Sequence, residues 1–180
     1  IKTIAKTDSL SSHQPKQTAG NEGLEETNLD RFLGKPVQTL EELSENIKSG
    51  QIPKIVASLI SFSIKIQASD IHIEPEKDQL RIRFRIEGDL REYLKLPVTL
   101  HPPIISRIKI LSGMKIDEQR VPQDGRYNVL ANGHEIDIRV SSLPTIFGEK
   151  IVMRILDKDA SNFQFETLGL NNIDQKRLHQ

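Results

Sequence analysis

Three arginines have side chains that could bind an oxyanion. Arg126 follows an Asp-Gly pair, Arg139 stands between an Asp-Ile pair and a Val-Ser-Ser run, and Arg154 lies in an apolar stretch. A guanidinium matches an oxyanion with parallel N–H donors, and a cation close to a transferring phosphoryl group stabilises its transition state. Taken one at a time, each arginine fits a surface ion pair better than a ligand contact.

A second set of arginines, Arg81, Arg83 and Arg85, alternates with apolar residues along one predicted strand. Alternation with period two places all three on one face. One interpretation is a solvated strand face, and the other is a surface that contacts a neighbouring domain, an acidic partner or phosphates. Nucleic acid is not an expected partner, because aromatic residues make up only 4% of the chain and base stacking requires them.

The sequence lacks the patterns that several other chemistries need. His72 alternates with isoleucines on a predicted strand, so a structural pairing with Asp70 or Glu74 is expected. No cluster of histidines and carboxylates has metal-ligand spacing, and we predict that this chain alone holds no metal. Ser141 and Ser142 have no histidine base nearby and no Gly-x-Ser-x-Gly turn, which argues against nucleophilic catalysis.

A phosphate-binding loop is also absent from the sequence. No stretch fits Gly-x-x-x-x-Gly-Lys-Ser/Thr, and Gly148-Glu149-Lys150 lacks the upstream glycine. Without those glycines a loop cannot wrap backbone N–H groups around phosphates. We therefore expect that this chain alone does not hydrolyse ATP and holds neither a nucleotide nor Mg²⁺.

Composition sets further bounds. The 180 residues suit one domain with a tail, and the apolar fraction of 36% predicts that part of the chain lacks a core. The 25 basic and 25 acidic residues cancel, which argues against binding of nucleic acid or membrane by the whole chain's charge. No apolar run approaches the roughly 20 residues that span a bilayer. Because the chain begins at Ile1 rather than Met, we expect an excised part of a longer protein.

Hydrophobic periodicity predicts the elements that position these residues. Residues 1–36 are rich in polar side chains, and we expect a flexible linker there. Residues 37–51 hold a short helix behind a capping box of Thr39 and Glu42, and a longer helix runs over about 52–67. The order of helix, meander, helix, hairpin and strand gives an α+β fold with a largely antiparallel sheet. Strands are expected over about 70–75, 80–86, 90–96, 127–130, 135–140 and 150–155, with a helix over about 102–113.

Five segments stand out in the sequence, namely 68–75 (ASDIHIEP), 83–88 (RFRIEG), 119–126 (QRVPQDGR), 137–145 (DIRVSSLPT) and 148–154 (GEKIVMR). In this order they resemble the domain that precedes the motor core in the ATPases of type II secretion and type IV pilus assembly. The resemblance extends over about residues 52–170. One departure is Glu87, which stands where that family usually has Asp.

The resemblance implies a fold and a role. Residues 52–170 correspond to a PAS-like domain whose meander sheet carries helices on one face, and residues 171–180 to the start of the connection to the motor domain. Arg139, Arg154 and Arg126 would contact ATP phosphates when this domain closes on the motor domain, with ATP and Mg²⁺ held by the parent protein.

The resemblance also implies partners and a location. The parent would be a cytoplasmic homohexamer, peripheral to the inner membrane, that powers pilus assembly or protein secretion. Its partners would be the motor domains of the same and neighbouring subunits. An additional N-terminal domain would bind inner-membrane platform proteins.

Two other interpretations stay open at this point. One is a freestanding module that binds an acidic partner or, less consistently with the composition, RNA through Arg81, Arg83 and Arg85. The other is a small-ligand sensor of the PAS type. The sensor interpretation is weakened by the shortage of aromatic residues and the absence of cysteines, which could hold a cofactor.

Overall fold

The structure is a computed structural model that describes residues 28–157. Three helices come first, and two groups of three strands follow with a fourth helix between them. The helices are α1 (Leu29–Leu33), α2 (Leu40–Lys48), α3 (Ile52–Lys65) and α4 (His101–Leu111). The strands are β1 (Asp70–Pro75), β2 (Gln79–Ile86), β3 (Asp89–Pro97), β4 (Gln123–Ala131), β5 (His134–Thr145) and β6 (Gly148–Asp157).

All six strands form one antiparallel sheet in the order β3-β2-β1-β6-β5-β4. The first and last strands pair at its centre, where Ile71 lies opposite Met153. The hairpin turns at Glu87-Gly88 and Asn132-Gly133 have positive φ at both residues, the conformation that type I′ turns require. These features confirm the predicted α+β fold with an antiparallel sheet.

The helices cover one face of this sheet. Pro53 lies in the first turn of α3, and the apolar stripe of that helix is buried, as its spacing predicts. Phe62 of α3 contacts Phe84 of β2 edge to face, with ring centroids 5.7 Å apart. Because side chains alternate along each strand, most charged strand residues point to the opposite face, which no helix covers within the described range. The buried strand residues include Ile71, Ile73, Leu80, Ile82, Phe84, Ile138, Val140, Ile151 and Met153.

The structure differs from the linker prediction at residues 28–36. Asn28 caps α1 by accepting a hydrogen bond from the Arg31 N–H (3.0 Å), and Leu29 is buried. The Asp30 carboxylate accepts from the Asn132 N–H in the β4–β5 turn (2.6 Å). Five residues are too few to show helical periodicity, so contacts distant in sequence stabilise α1. Residues 1–27 and 158–180, which include the rest of the predicted linker and connection, lie outside the described residues.

Smaller differences concern the ends of elements. Helix α3 ends two residues before its predicted end, and Gln67 beyond it has a φ of 54°. The Glu42 carboxylate accepts from the Gln38 N–H (2.8 Å) rather than from Thr39, whose hydroxyl accepts from the Glu42 N–H as predicted (3.2 Å). Strands β4 and β5 are longer than predicted, because polar residues on the uncovered face continue the ladder. No helix within residues 28–157 is long and apolar enough to cross a membrane.

Candidate functional site

Arg126, Arg139 and Arg154 form one row across the uncovered face of the sheet. Arg126 on β4 lies directly opposite Arg139 on β5, and Arg139 lies directly opposite Arg154 on β6. Directly opposite residues in an antiparallel pair have Cβ atoms about 4.5–5.5 Å apart. Three arginines that are separated by 13 and 15 positions in the sequence therefore share one strip of the surface.

A shallow cavity of about 510 Å³ lies along this row. Three arginines and two aspartates give its lining an excess of positive charge. Gly125 also lines the cavity. A larger residue does not fit there without a shift, because a Cβ would overlap the carbonyl oxygen of Ser112 at the end of α4. The lining residues are Asp70, Asp124, Gly125, Arg126, Arg139, Val140, Ser141, Val152 and Arg154.

Arg154 is held by a buried carboxylate. Its Nε donates to Asp70 Oδ1 at 3.1 Å, although 64% of the Arg154 side chain is exposed. Asp70 lies opposite Arg154 on one side and opposite Arg85 on the other. Burial alone would raise the pKa of the Asp70 carboxyl, but hydrogen bonds from the Ser69 hydroxyl and Arg154 outweigh it and hold that pKa below its ordinary value.

The other two arginines of the row are held less firmly. Arg139 Nε lies 3.7 Å from Asp137 Oδ2, beyond hydrogen-bond range, and 68% of its side chain is exposed. Arg126 makes no hydrogen bond or ion pair with any residue in the described part of the chain. Its neighbour Asp124 accepts instead from the Ser141 hydroxyl across the β4–β5 pair, at 2.6 Å. Charge on this half of the face is therefore only partly balanced.

The second predicted set, Arg81, Arg83 and Arg85, is bound within the sheet. Arg81 Nη2 and Arg83 Nη2 lie 3.1 Å and 2.6 Å from the two oxygens of Glu74. Arg85 Nε lies 3.3 Å from Asp70 Oδ2 and its Nη1 donates to the Gly88 carbonyl at 2.8 Å. The structure places these arginines in ion pairs of the domain itself, and no more than 38% of any of their side chains is exposed.

Glu74 is the centre of that paired cluster. It is buried on the uncovered face of β1, and Lys150 Nζ lies 2.7 Å from its Oε1. Burial alone would raise the pKa of Glu74, but hydrogen bonds from Arg83 and Lys150 lower it to about 2. His72 lies on the same strand close to this cluster, with its Nδ1 3.6 Å from Glu74 Oε1. Burial, reinforced by Lys150, lowers the pKa of His72 below its ordinary value, so the ring is neutral near pH 7.

A buried ion pair escaped prediction from the sequence. Lys109 Nζ of α4 lies 2.6 Å from Glu149 Oε1 of β6, and both side chains are almost fully buried. The Ser142 hydroxyl donates to the same carboxylate at 2.6 Å, and Lys109 also donates to the Glu118 carbonyl. One signal was available: Lys109 follows Ile105 by four positions and so lies on the apolar stripe of its helix.

Metal ligation has no counterpart in the described residues. Within residues 28–157, no group of three or more His, Asp and Glu side chains converges in a way that could hold a metal ion. The side chains of three arginines line the cavity instead. The chemistry that this arrangement offers is recognition of an oxyanion by guanidinium groups.

Comparisons with known proteins lead to one family. Residues 45–180 match the family model described as type II/IV secretion system protein. The chain is 37% identical over 164 residues to type II secretion system protein E of Klebsiella pneumoniae, covering 91% of this chain and 32% of the relative. It is 42% identical over 138 residues to type II secretion system ATPase E of Vibrio cholerae, covering 77% of this chain and 27% of the relative.

A pilus protein gives a similar match. The type IV pilus assembly ATPase PilB of Myxococcus xanthus is 40% identical over 135 residues, covering 74% of this chain and 24% of the relative. The chain thus spans between 24% and 32% of the length of these three curated relatives. On the family match and these identities, the chain belongs to the type II/IV secretion system protein family.

Proposed function

We propose that this chain is the domain of a hexameric secretion or pilus-assembly ATPase that closes over bound nucleotide. In this proposal Arg139, Arg154 and Arg126 contact the phosphates of an ATP held by the motor domain. The observation that supports it is the row of three arginines on the uncovered face, where exposed guanidinium groups outnumber the nearby carboxylates.

The residues present fit the phosphate end of a nucleotide. Each guanidinium offers several N–H donors in a plane, which match two non-bridging phosphate oxygens. Three guanidinium groups on adjacent strands span about 10 Å, since neighbouring strands lie about 4.7–4.9 Å apart. That span suits a chain of linked phosphates better than a single anion. The adenosine part and Mg²⁺ are assigned to the motor domain.

ATP supplies the phosphoryl group and its charge when it is bound. The arginines of this chain would bind its oxygens, exclude water from that side and stabilise charge as it moves toward the leaving group. Closure would be favoured by the triphosphate and weakened after hydrolysis, because the diphosphate carries less charge. Nucleotide turnover would in this way change the distance between the two domains.

The proposal extends to the assembly. The uncovered sheet face would close on the motor domain of the same or a neighbouring subunit within a homohexamer. The parent would lie in the cytoplasm at the inner membrane, attached to platform proteins through another domain. Its work would be the assembly of a type IV pilus or the secretion of proteins, the activities for which the relatives are named.

Turnover of the full-length ATPase tests the proposal. Arg139→Ala and Arg154→Ala should each lower kcat by roughly tenfold or more, since an arginine that meets a transferring phosphoryl group is worth about 10³ to 10⁵ in rate. Arg91→Ala is the matched control, because Arg91 is exposed on β3, where it pairs with Asp89 at 3.6 Å and does not line the cavity. Wild-type turnover in both variants would show that the phosphate contacts are wrongly assigned.

A further inference from the structure

We propose that Asp70 is the positioning residue for Arg154. Its carboxylate accepts a hydrogen bond from the Nε of that guanidinium, and Arg154 lines the cavity. The inference rests on the proposed function and adds a residue to it that does not itself touch the phosphates. Asp70 is 5% exposed, so its own negative charge is largely shielded from an incoming anion.

The geometry of the Asp70–Arg154 contact supports a directing role. A guanidinium has five N–H donors, one on Nε and four on the terminal nitrogens. Asp70 takes only the Nε donor, at 3.1 Å, and the terminal nitrogens of Arg154 make no hydrogen bond within residues 28–157. The edge of the guanidinium that binds an oxyanion with two parallel bonds is therefore oriented and unoccupied.

Arg85, the other partner of Asp70, shows what a purely structural arginine looks like at the same carboxylate. Its Nε lies 3.3 Å from Asp70 Oδ2, but its Nη1 is bound to the Gly88 carbonyl at 2.8 Å. Arg85 is thus held at both ends, whereas Arg154 is held only at its base. One carboxylate between two guanidinium groups also leaves a net positive charge, so Asp70 orients Arg154 without neutralising the row.

The backbone around Asp70 is rigid enough for this role. The Ser69 N–H donates to the Arg85 carbonyl and the Ile155 N–H donates to the Ser69 carbonyl, both at 2.9 Å. The start of β1 is therefore bonded to both neighbouring strands. The Ser69 hydroxyl donates to Asp70 Oδ2 at 2.8 Å and orients the carboxylate itself. A long, exposed arginine that is already oriented loses less rotamer entropy when it binds an anion.

The test compares Asp70→Asn, Arg154→Ala and the double variant in the full-length ATPase. Asp70→Asn keeps the size of the side chain and removes its charge, so the contact that orients Arg154 is weakened. We expect kcat to fall roughly tenfold with little change in KM, because misplacement of a transition-state contact costs rate rather than binding. The double variant should be no slower than Arg154→Ala, since Asp70 acts through that arginine.

Glu74→Gln is the matched control. Glu74 lies on the same strand and face with similar burial, and it binds Arg81, Arg83 and Lys150 rather than an arginine of the cavity. It should lower the unfolding midpoint at least as much as Asp70→Asn but leave kcat unchanged. A purely structural role for Asp70 predicts instead that both variants affect turnover in proportion to their loss of stability.

Ser69→Ala keeps the test decisive if Asp70→Asn fails to fold. Ser69 is exposed, and its removal loosens the Asp70 carboxylate while leaving every charge in place. We expect a fall in kcat of roughly two- to threefold that disappears in the Arg154→Ala background. If Arg154→Ala slows the enzyme but neither Asp70→Asn nor Ser69→Ala does, the positioning role is overturned and the proposed function stands. If Arg154→Ala has no effect, the positioning role is overturned, and the proposed function fails with it when Arg139→Ala also keeps wild-type turnover.

Discussion

The two halves of the uncovered sheet face carry the same residue type but differ in how far its charge is balanced by carboxylates. Over β1 and β2, Arg81, Arg83 and Arg85 are paired with carboxylates of the same sheet. Over β4 to β6, Arg126 and Arg139 have no carboxylate within hydrogen-bond range in the described part of the chain. Arg154 stands between the halves, bound to Asp70 at its base and exposed at its tip.

Arginines are present on both halves, so the positions of the carboxylates make the difference. Where carboxylates lie beside the arginines, the arginines are structural; where they do not, the arginines are suited to ligand binding. Strand β1 places Asp70 and Glu74 beside β2, and each oxygen there meets a cation. On the other half, Asp124 is bound to a serine hydroxyl and Asp137 lies 3.7 Å from its arginine. An external anion would balance that half as Glu74 balances the first.

The largest expected effect comes from removing the carboxylate that balances the first half. Glu74→Ala leaves Arg81, Arg83 and Lys150 close together without their shared acceptor. Breaking a buried ion pair from one side costs about 3–5 kcal/mol of unfolding free energy. Urea denaturation of the 180-residue chain measures it. Asp137→Ala is the control on the other half, where the carboxylate lies 3.7 Å from an arginine that is 68% exposed, and we expect a loss below about 1 kcal/mol. Equal losses of unfolding free energy in the two variants would contradict the difference between the halves.

Acid should weaken the first half in the same way. The folded-state pKa of Glu74, about 2, lies below its ordinary value of 4.5. Its contribution to stability is therefore complete above about pH 4.5 and is lost as the pH falls toward 2. At about 1.4 kcal/mol per pKa unit, that contribution amounts to about 3 kcal/mol. Unfolding free energies measured from pH 6 to pH 2.5 should fall less steeply below pH 4.5 in Glu74→Gln than in the wild type; parallel curves would contradict the ion-pair network.

Strand β4, which belongs to the second half, should be sensitive to its packing against the end of α4. A Cβ at Gly125 would overlap the Ser112 carbonyl oxygen and lie 2.9 Å from the Ser112 Cβ, so Gly125→Ala pushes β4 away from the end of α4. Overpacking of this kind costs about 1–3 kcal/mol. Because no charge changes, the loss should be the same in low and high salt. A loss that vanishes in 1 M salt would mean that electrostatics, not contact, is responsible.

Local patterns predicted much of the fold. Alternation identified all six strands, and the predicted meander and hairpin are present, with hairpin turns at Glu87-Gly88 and Asn132-Gly133. The short helix α1 was not predicted, because its stability depends on contacts such as that of Asp30 with Asn132, about a hundred residues away. The ends of β4 and β5 were also predicted too short, because the polar residues at these ends do not show the hydrophobic alternation of a strand although they continue the ladder.

The site was predicted residue by residue but not as an arrangement. Motif resemblance selected Arg126, Arg139 and Arg154, and alternation shows that Arg139 and Arg154 face away from the core. That they form one row depends on the pairing of β5 with both β4 and β6, and the role of Asp70 depends on β1 lying beside β6. The local alternation of residues does not specify which distant strands pair, so the carboxylate partners of the arginines could not be assigned from the sequence.

The smallest expected effect belongs to Arg126, which has no ion-pair or hydrogen-bond partner within residues 28–157. Arg126→Gln removes a charge that lies directly opposite Arg139, and like charges at such positions repel each other. Since no contact in the described range is lost, we expect a change in unfolding free energy within about 0.5 kcal/mol, on the stabilising side at low salt. Arg83→Gln is the counterpart in the first half and should destabilise, because it breaks a 2.6 Å contact with buried Glu74. Urea denaturation in 20 mM and 500 mM salt separates the two, and a destabilised Arg126→Gln would mean that the row holds the sheet together instead of remaining free for an anion.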